Sequence, residues 1–195
     1  MFHNIKDSKS IQLACDILNK GEIIIYPTDT LYGFGVDATN TQAIELLNQL
    51  KNREQVYSII VNSKKMLNKY AYITKQQEFA IKQYLPGPFT MILKKKESDL
   101  SNLISLNLKT VGIRMPLHKF SIKIVKDLNR PIITTSVNFH NSKPLSNYQD
   151  IRKKFKNINM FYDENFNDKS IGSTIIDLTA KPHKILRQGD GKFIL

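Results

Sequence analysis

The spacing of apolar positions changes repeatedly along the chain, and each change marks a new element. Over residues 8–19, Ile11, Ala14, Cys15 and Leu18 fall at i, i+3, i+4 and i+7, which predicts an amphipathic helix. The run Glu22-Ile23-Ile24-Ile25-Tyr26 then reads as a short strand halted by Pro27. Thr39-Asn40-Thr41-Gln42 has the form of a capping box and opens a helix carrying Ala43, Leu46, Leu47 and Leu50. Val56 to Val61 is the next strand. Thr74-Lys75-Gln76-Gln77 is a second capping box, and its helix must end at Pro86. Phe89–Leu93 and Val111–Arg114 follow as strands, with the polar stretch Lys94–Asn107 between them read as a loop or lid.

Leu117, Ser121, Ile124, Val125 and Leu128 mark a further helix face, and Pro131 leads into the strand Ile132–Thr135. Ser146-Asn147-Tyr148-Gln149 is a third capping box. Strands around Met160–Tyr162, Ser173–Leu178 and Ile185–Arg187 close the pattern. Strands alternating with helices give an α/β fold, with candidate sites in the loops at strand ends. At 195 residues without repeats or long linkers, residues 1–195 are expected to form one domain.

Composition narrows the setting. No apolar run approaches the roughly 18 residues that a membrane span requires, and the N-terminus lacks the pattern of a secretion signal. Cys15 is the single cysteine and lies on the apolar stripe of the first helix, where a buried structural thiol is expected. These features point to a cytoplasmic protein with no membrane partner. The formal charge of +12 comes from 29 Lys and Arg against 17 Asp and Glu. Such a field attracts nucleotides, pyrophosphate or RNA. A general bias toward Lys, Asn and Ile would produce the same excess with no polyanionic partner, so charge alone leaves both readings open.

Four polar clusters follow strands. Tyr26-Pro27-Thr28-Asp29-Thr30-Leu31-Tyr32-Gly33-Phe34-Gly35 combines hydroxyls with two glycines, which either admit a ligand close to the backbone or simply make a turn. Lys51-Asn52-Arg53 closes a helix. Its cations suit the helix C-terminus, or, if the chain is extended there, project to one side and grip a polyanion together. Ser136 and Asn138 repeat the i, i+2 spacing beyond a buried strand, where they can read a carboxylate, ribose or base edge, or cap a turn. Gly172-Ser173-Thr174-Ile175-Ile176-Asp177 and Leu186-Arg187-Gln188-Gly189 form the fourth, with Arg187 a candidate phosphate contact. Asp29 and Asp177 lack ligand-spaced partners, and His3, His118, His140 and His183 are scattered, so no metal site is expected.

In series, Pro-Thr-Asp-Thr-x-Tyr-Gly at 27–33, Lys51-x-Arg53, Pro86-Gly87-Pro88-Phe89-Thr90, Val111–Pro116, Thr135–Asn138, Ser173–Asp177 and Leu186–Gly189 resemble the YrdC family of threonylcarbamoyl-AMP synthases. The resemblance runs from about Gly21 to Gly189 and implies the short, single-domain form: an open twisted mixed sheet flanked by helices around a basic groove. The implied reaction joins L-threonine, bicarbonate and ATP into threonylcarbamoyl-AMP and pyrophosphate. Mg²⁺ accompanies the ATP, and a downstream tRNA threonylcarbamoyl transferase complex receives the product. Carried over, the family's tetrad falls on Lys51, Arg53, Ser136 and Asn138. The threonine pocket falls on Thr28 or Thr30 with Arg114 and Ser173, and the ATP side on Arg53, Asn138, Ser146 and Arg187. The chain departs from the family pattern at Glu54, Tyr57-Ser58, Asn62, Val137 and Phe34. The competing reading, motivated by the charge, is a non-catalytic module binding double-stranded RNA or tRNA. Weak tRNA binding is compatible with either.

Overall fold

A computed structural model describes residues 1–139 and 142–194. The helices are α1 (Ser10–Asn19), α2 (Thr41–Lys51), α3 (Lys64–Tyr70), α4 (Lys75–Tyr84), α5 (Lys119–Leu128) and α6 (Tyr148–Lys154). The strands are β1 (Phe2–Asn4), β2 (Ile24–Tyr26), β3 (Gly33–Gly35), β4 (Ser58–Ile60), β5 (Ala71–Tyr72) and β6 (Phe89–Lys95), then β7 (Thr110–Arg114), β8 (Ile132–Ser136), β9 (Asn159–Tyr162), β10 (Thr174–Asp177) and β11 (Lys184–Arg187). They form one open mixed sheet in the order β1-β9-β2-β3-β8-β4-β7-β6-β10-β11, with β5 paired to β6.

Alternation along the strands divides the core in two. Ile24, Tyr26, Ile60, Ile132 and Phe161 face α1 and α5, where they meet Ala14, Leu18, Ile124 and Val125. Their neighbours Ile25, Ile59, Ile133 and Met160 point to the opposite face, into a larger core with Phe34, Leu47 and Ile151. Cys15 is buried in the first of these cores, with its Sγ 3.8 Å from the Ile124 carbonyl. No helix among the described residues is long and apolar enough to cross a membrane.

Several local expectations change. Gly33–Gly35 forms a strand, and a Cβ at Gly35 would lie 2.6 Å from the Tyr26 ring, so this glycine makes room for a core tyrosine and not for a ligand. Lys94–Asn107 is not a lid. β6 continues to Lys95, a 3₁₀ turn covers Asn102–Ile104, and Leu100, Ile104 and Ser105 are buried. Backbone bonds tie this segment inward: Ser101 N–H donates to the Ala38 carbonyl and Tyr57 N–H to the Ile104 carbonyl. Its polar residues cover a short apolar anchor that no longer periodicity announced. Helix α3 has seven polar-rich residues, too few to show a period, although Ser63 caps it through Met66 N–H.

The capping box at Thr74 and Gln77 forms with both reciprocal bonds. The other two helices begin one residue later than their motifs suggest. Asn40 caps α2 through Ala43 N–H, while the Thr39 hydroxyl donates to Asp37. Asn147 caps α6 through Gln149 and Asp150 N–H, which leaves Ser146 outside the helix. An asparagine carbonyl and a serine or threonine hydroxyl are comparable cap acceptors, so adjacent candidates compete and backbone entry decides. Replacing Asn147 with Ala is expected to cost about 1 kcal/mol in denaturant unfolding, whereas Ser146→Ala stays within roughly 0.5 kcal/mol of wild type. A larger loss in Ser146→Ala than in Asn147→Ala would place the cap at Ser146 instead.

Candidate functional site

The sheet face that α1 and α5 cover is only half apolar. Continuing the strand register along that face, Ser58 pairs with Gly112 and Thr134, and Gly33 with Ser136. Arg114 lies two residues beyond Gly112, and Thr90 pairs with Ile175. By the two-residue period these positions share the face occupied by Ile60 and Ile132. Where the helices stop, the sequence switches from isoleucine to hydroxyl, glycine and arginine, and a cavity of about 220 Å³ opens. The site therefore lies across the sheet as well as beyond strand ends.

Three guanidinium groups line this cavity, from Arg53, Arg114 and Arg187, together with Thr30, Thr90, Ser136 and Ser173. Arg114, at the end of β7, is 6% exposed. Its Nη2 donates to Asp29 Oδ1 at 2.7 Å and to Thr30 Oγ1 at 3.0 Å, and its Nε–H is buried without a partner. Thr90 and Ser173 share a hydrogen bond of 2.8 Å between hydroxyls. Arg187, at the end of β11, folds back so that Nε and Nη2 donate to the Ser173 carbonyl at 3.1 and 2.7 Å. Gly172, with φ of 99°, permits that approach, because a Cβ there would sit 3.3 Å from Arg187 Nη2. Burial first, and then the Arg114 charge, lower the Arg187 pKa from its ordinary value.

Lys51 and Arg53 diverge. The residue between them, Asn52, adopts the left-handed conformation (φ 51°, ψ 39°) as the C-cap of α2, so the extended geometry that would aim both cations one way is not formed. Lys51 is fully buried. Its Nζ donates to the Ser136 carbonyl at 2.9 Å, the Asn138 carbonyl at 3.1 Å and Asn138 Oδ1 at 2.8 Å. The Ser136 hydroxyl also donates to Asn138 Oδ1, at 3.0 Å. Lys51, Ser136 and Asn138 thus form one network at the end of β8, and Arg53 alone of the two cations reaches the cavity wall. Arg53 Nε is buried and unpartnered.

The remaining expected residues spread out. Thr28 is buried within its own turn, donating to the Leu31 carbonyl at 2.7 Å and accepting from Thr30 N–H at 3.1 Å. It meets the cavity through Thr30 and Leu31, which line it. Asn138 and Ser146 do not line the cavity, although Asn138 lies in the Lys51 network. Gln55, Thr90 and Thr135 line the cavity but are not among the expected site residues, and neither is Tyr32, which stands in the 27–33 motif; Gln55 Nε2 donates to Thr135 Oγ1 at 3.0 Å. Thr90 and Thr135 stood inside recognised motifs, which was the available clue. Among the described residues no three His, Cys, Asp or Glu side chains gather into a ligand set, and His140 lies outside those residues. A larger groove of about 780 Å³ lies between β1, β9 and α6, floored by Phe2, Tyr148 and Tyr162. It holds none of the expected residues. The smaller cavity is the candidate because its wall concentrates unpartnered cationic donors and hydroxyls.

Comparison with known proteins places the chain in a family and a fold. A family model for Sua5, YciO and YrdC proteins, described as telomere recombination, matches residues 16–189. A threonylcarbamoyl-AMP synthase of Pyrococcus abyssi is 30% identical over 183 residues, covering 92% of this chain and 54% of that protein. The chain thus spans about half the length of that relative. A Methanocaldococcus jannaschii protein, provisionally given the same name, is 33% identical over 181 residues, covering 91% of this chain and 84% of that one. The solved structure of P. abyssi Sua5 complexed with L-threonine superposes with a TM-score of 0.89 at 28% identity, covering 97% of this chain and 57% of that one. Escherichia coli YciO, at 22% identity and a TM-score of 0.86 over 98% of this chain and 95% of that one, shares the fold.

Burial, followed by the nearby Arg53 charge, lowers the Lys51 pKa from 10.5 to about 8. Between those values the unfolded chain keeps a proton that the folded protein has released, so Lys51 weighs against stability most below pH 8 and progressively less above it. Compared by denaturant unfolding from pH 7 to 11, wild type is expected to gain on Lys51→Met by on the order of 3 kcal/mol across the window. A difference that does not change with pH would contradict a depressed Lys51.

Proposed function

The chain belongs to the Sua5/YciO/YrdC family, and from that premise we propose that it is an L-threonylcarbamoyladenylate synthase acting as one unit over residues 1–195. The observation that carries the reading is the set of three arginines around a cavity of about 220 Å³ whose other polar lining is hydroxyl and amide. Such a wall is made for anions with hydrogen-bonding substituents: a carboxylate, a carbamate and a phosphate chain.

L-Threonine is placed at Arg114, Thr30, Thr90 and Ser173. Its amine attacks bicarbonate carbon, and loss of water leaves the N-carboxy-threonine carbamate. A carbamate oxygen then attacks the α-phosphorus of ATP, the bond to the β-phosphate oxygen breaks, and pyrophosphate leaves. Phosphorus transfer of this kind depends on alignment and charge neutralisation, with no covalent protein intermediate. Arg53 is assigned to the developing charge on the α-phosphate and leaving group. Arg187, whose guanidinium already rests on the Ser173 carbonyl, is assigned to the nucleotide.

Lys51 is assigned a different part from the direct phosphate grip its sequence position suggests. All three of its hydrogen bonds go to Ser136 and Asn138, so it fixes the backbone and amide that orient carbamate and nucleotide. Ser146 takes part on the ATP side only if substrate draws its loop inward. Mg²⁺ enters with the triphosphate as part of the substrate. A cytoplasmic setting, and delivery of the labile adenylate to a tRNA threonylcarbamoyl transferase complex, belong to the same proposal.

Purified protein is expected to release pyrophosphate from ATP only when both L-threonine and bicarbonate are present, and Arg53→Ala to lower that turnover by about a hundredfold or more. Folded protein that binds RNA with steep salt dependence, yet releases no pyrophosphate under any combination, would replace this reading with the RNA-binding one.

A further inference from the structure

We infer that Asp29 is a positioning residue that sets the Arg114 guanidinium as a receptor for the substrate carboxylate; the inference rests on the synthase reading above. The Asp29 and Arg114 side chains are 8% and 7% exposed, so their pairing is removed from bulk water. One Asp29 oxygen accepts from Arg114 Nη2 at 2.7 Å and the other from Leu117 N–H at 2.9 Å. With both oxygens engaged, the carboxylate cannot rotate, and its plane is fixed by the backbone that follows β7. Thr30 Oγ1 accepts a second bond from the same Nη2.

The guanidinium is therefore clamped at one nitrogen, while its buried Nε–H has no partner and the side chain lines the cavity. Arg53 Nε on the same wall is likewise buried without a partner, so two cavity arginines keep a donor that the protein does not answer. Arg53 and Arg187 line the same cavity, yet of the ion pairs formed by the described residues only Asp29–Arg114 brings a carboxylate onto a cavity arginine. Without it, Arg114 would keep its charge and lose its aim. The sequence offers Asp29 no partner of its own, because Arg114 lies 85 residues away and meets it only through the fold.

The test is steady-state pyrophosphate release by the full chain, read separately for L-threonine and ATP. Asp29→Asn keeps the side chain's shape and removes its charge. It is expected to raise KM for L-threonine at least tenfold while kcat and KM for ATP move less than threefold. In an Arg114→Gln background the same change is expected to add less than twofold, since the residue it acts through is already gone; the double variant also removes both buried charges and so avoids leaving one uncompensated. An equal rise in both backgrounds would make Asp29 a brace for the 115–117 backbone alone and overturn the inference. A wild-type threonine KM in folded Asp29→Asn would overturn it as well. Should Asp29→Asn fail to fold, Asp29→Glu, which keeps the charge but displaces it, is expected to raise the threonine KM at least threefold, and an unchanged value would be contrary. Wild-type protein that releases no pyrophosphate in response to threonine overturns the synthase reading itself, a result separate from any of these.

Discussion

A buried ammonium holds the site together. Lys51 ends helix α2 at the level of the sheet and places its Nζ among the Ser136 carbonyl, the Asn138 carbonyl and the Asn138 side chain. Removing a charge from water is unfavourable by several kcal/mol unless hydrogen bonds replace the lost hydration. Three acceptors and the Phe34 ring, 5.4 Å from the same nitrogen, offset only part of that cost, in keeping with the lowered Lys51 pKa. The arrangement joins a helix terminus to the end of a strand 85 residues away. It fixes the direction in which β8 delivers Ser136, and the left-handed Asn52 that follows sends Arg53 toward the cavity.

The rest of the site follows from an interrupted sheet face. Helices α1 and α5 shield Ile24, Tyr26, Ile60 and Ile132, and beyond their reach the same face continues as Ser58, Arg114, Thr134 and Ser136. A polar surface of this kind beside a hydrophobic core is stable only if its groups are hydrogen-bonded or meet a ligand. Thr28, Thr90 and Ser173 are bonded to protein partners. The arginines are only partly answered, with buried unpartnered Nε atoms on Arg53 and Arg114. The local balance is strongly positive, one carboxylate among three guanidiniums, which is the imbalance the proposed anionic substrates would offset. The global charge of +12 is a weaker argument, since it is spread over many exposed lysines.

Much of the fold was legible where period and burial coincide. The isoleucine runs at 23–25, 59–60 and 132–133 read as strands because both faces of a central strand are apolar, and α5 read as a helix because its apolar stripe is complete. Elements with little burial of their own were harder to see: β3 is two glycines around Phe34, and α3 is seven residues with only Leu67 and Tyr70 inside. The family motifs named residues far apart in the chain, and the structure brings Thr30, Arg53, Arg114, Ser136, Ser173 and Arg187 around one cavity. Spacing alone could not show that Lys51 turns inward, because that depends on a single left-handed residue. Nor could it show that Asp29 meets Arg114, a contact made only when β2 and β7 share a sheet.

The central claim is that this cavity joins an amino-acid carbamate to the α-phosphate of ATP. The most direct measurement is mass spectrometry of the product formed by the purified protein from ATP, L-threonine and ¹³C-bicarbonate. The account predicts an adenylate carrying both threonine and the labelled carbon, released together with pyrophosphate. ATP cleavage with no labelled carbon in the nucleotide product, or no cleavage by folded protein, would contradict it.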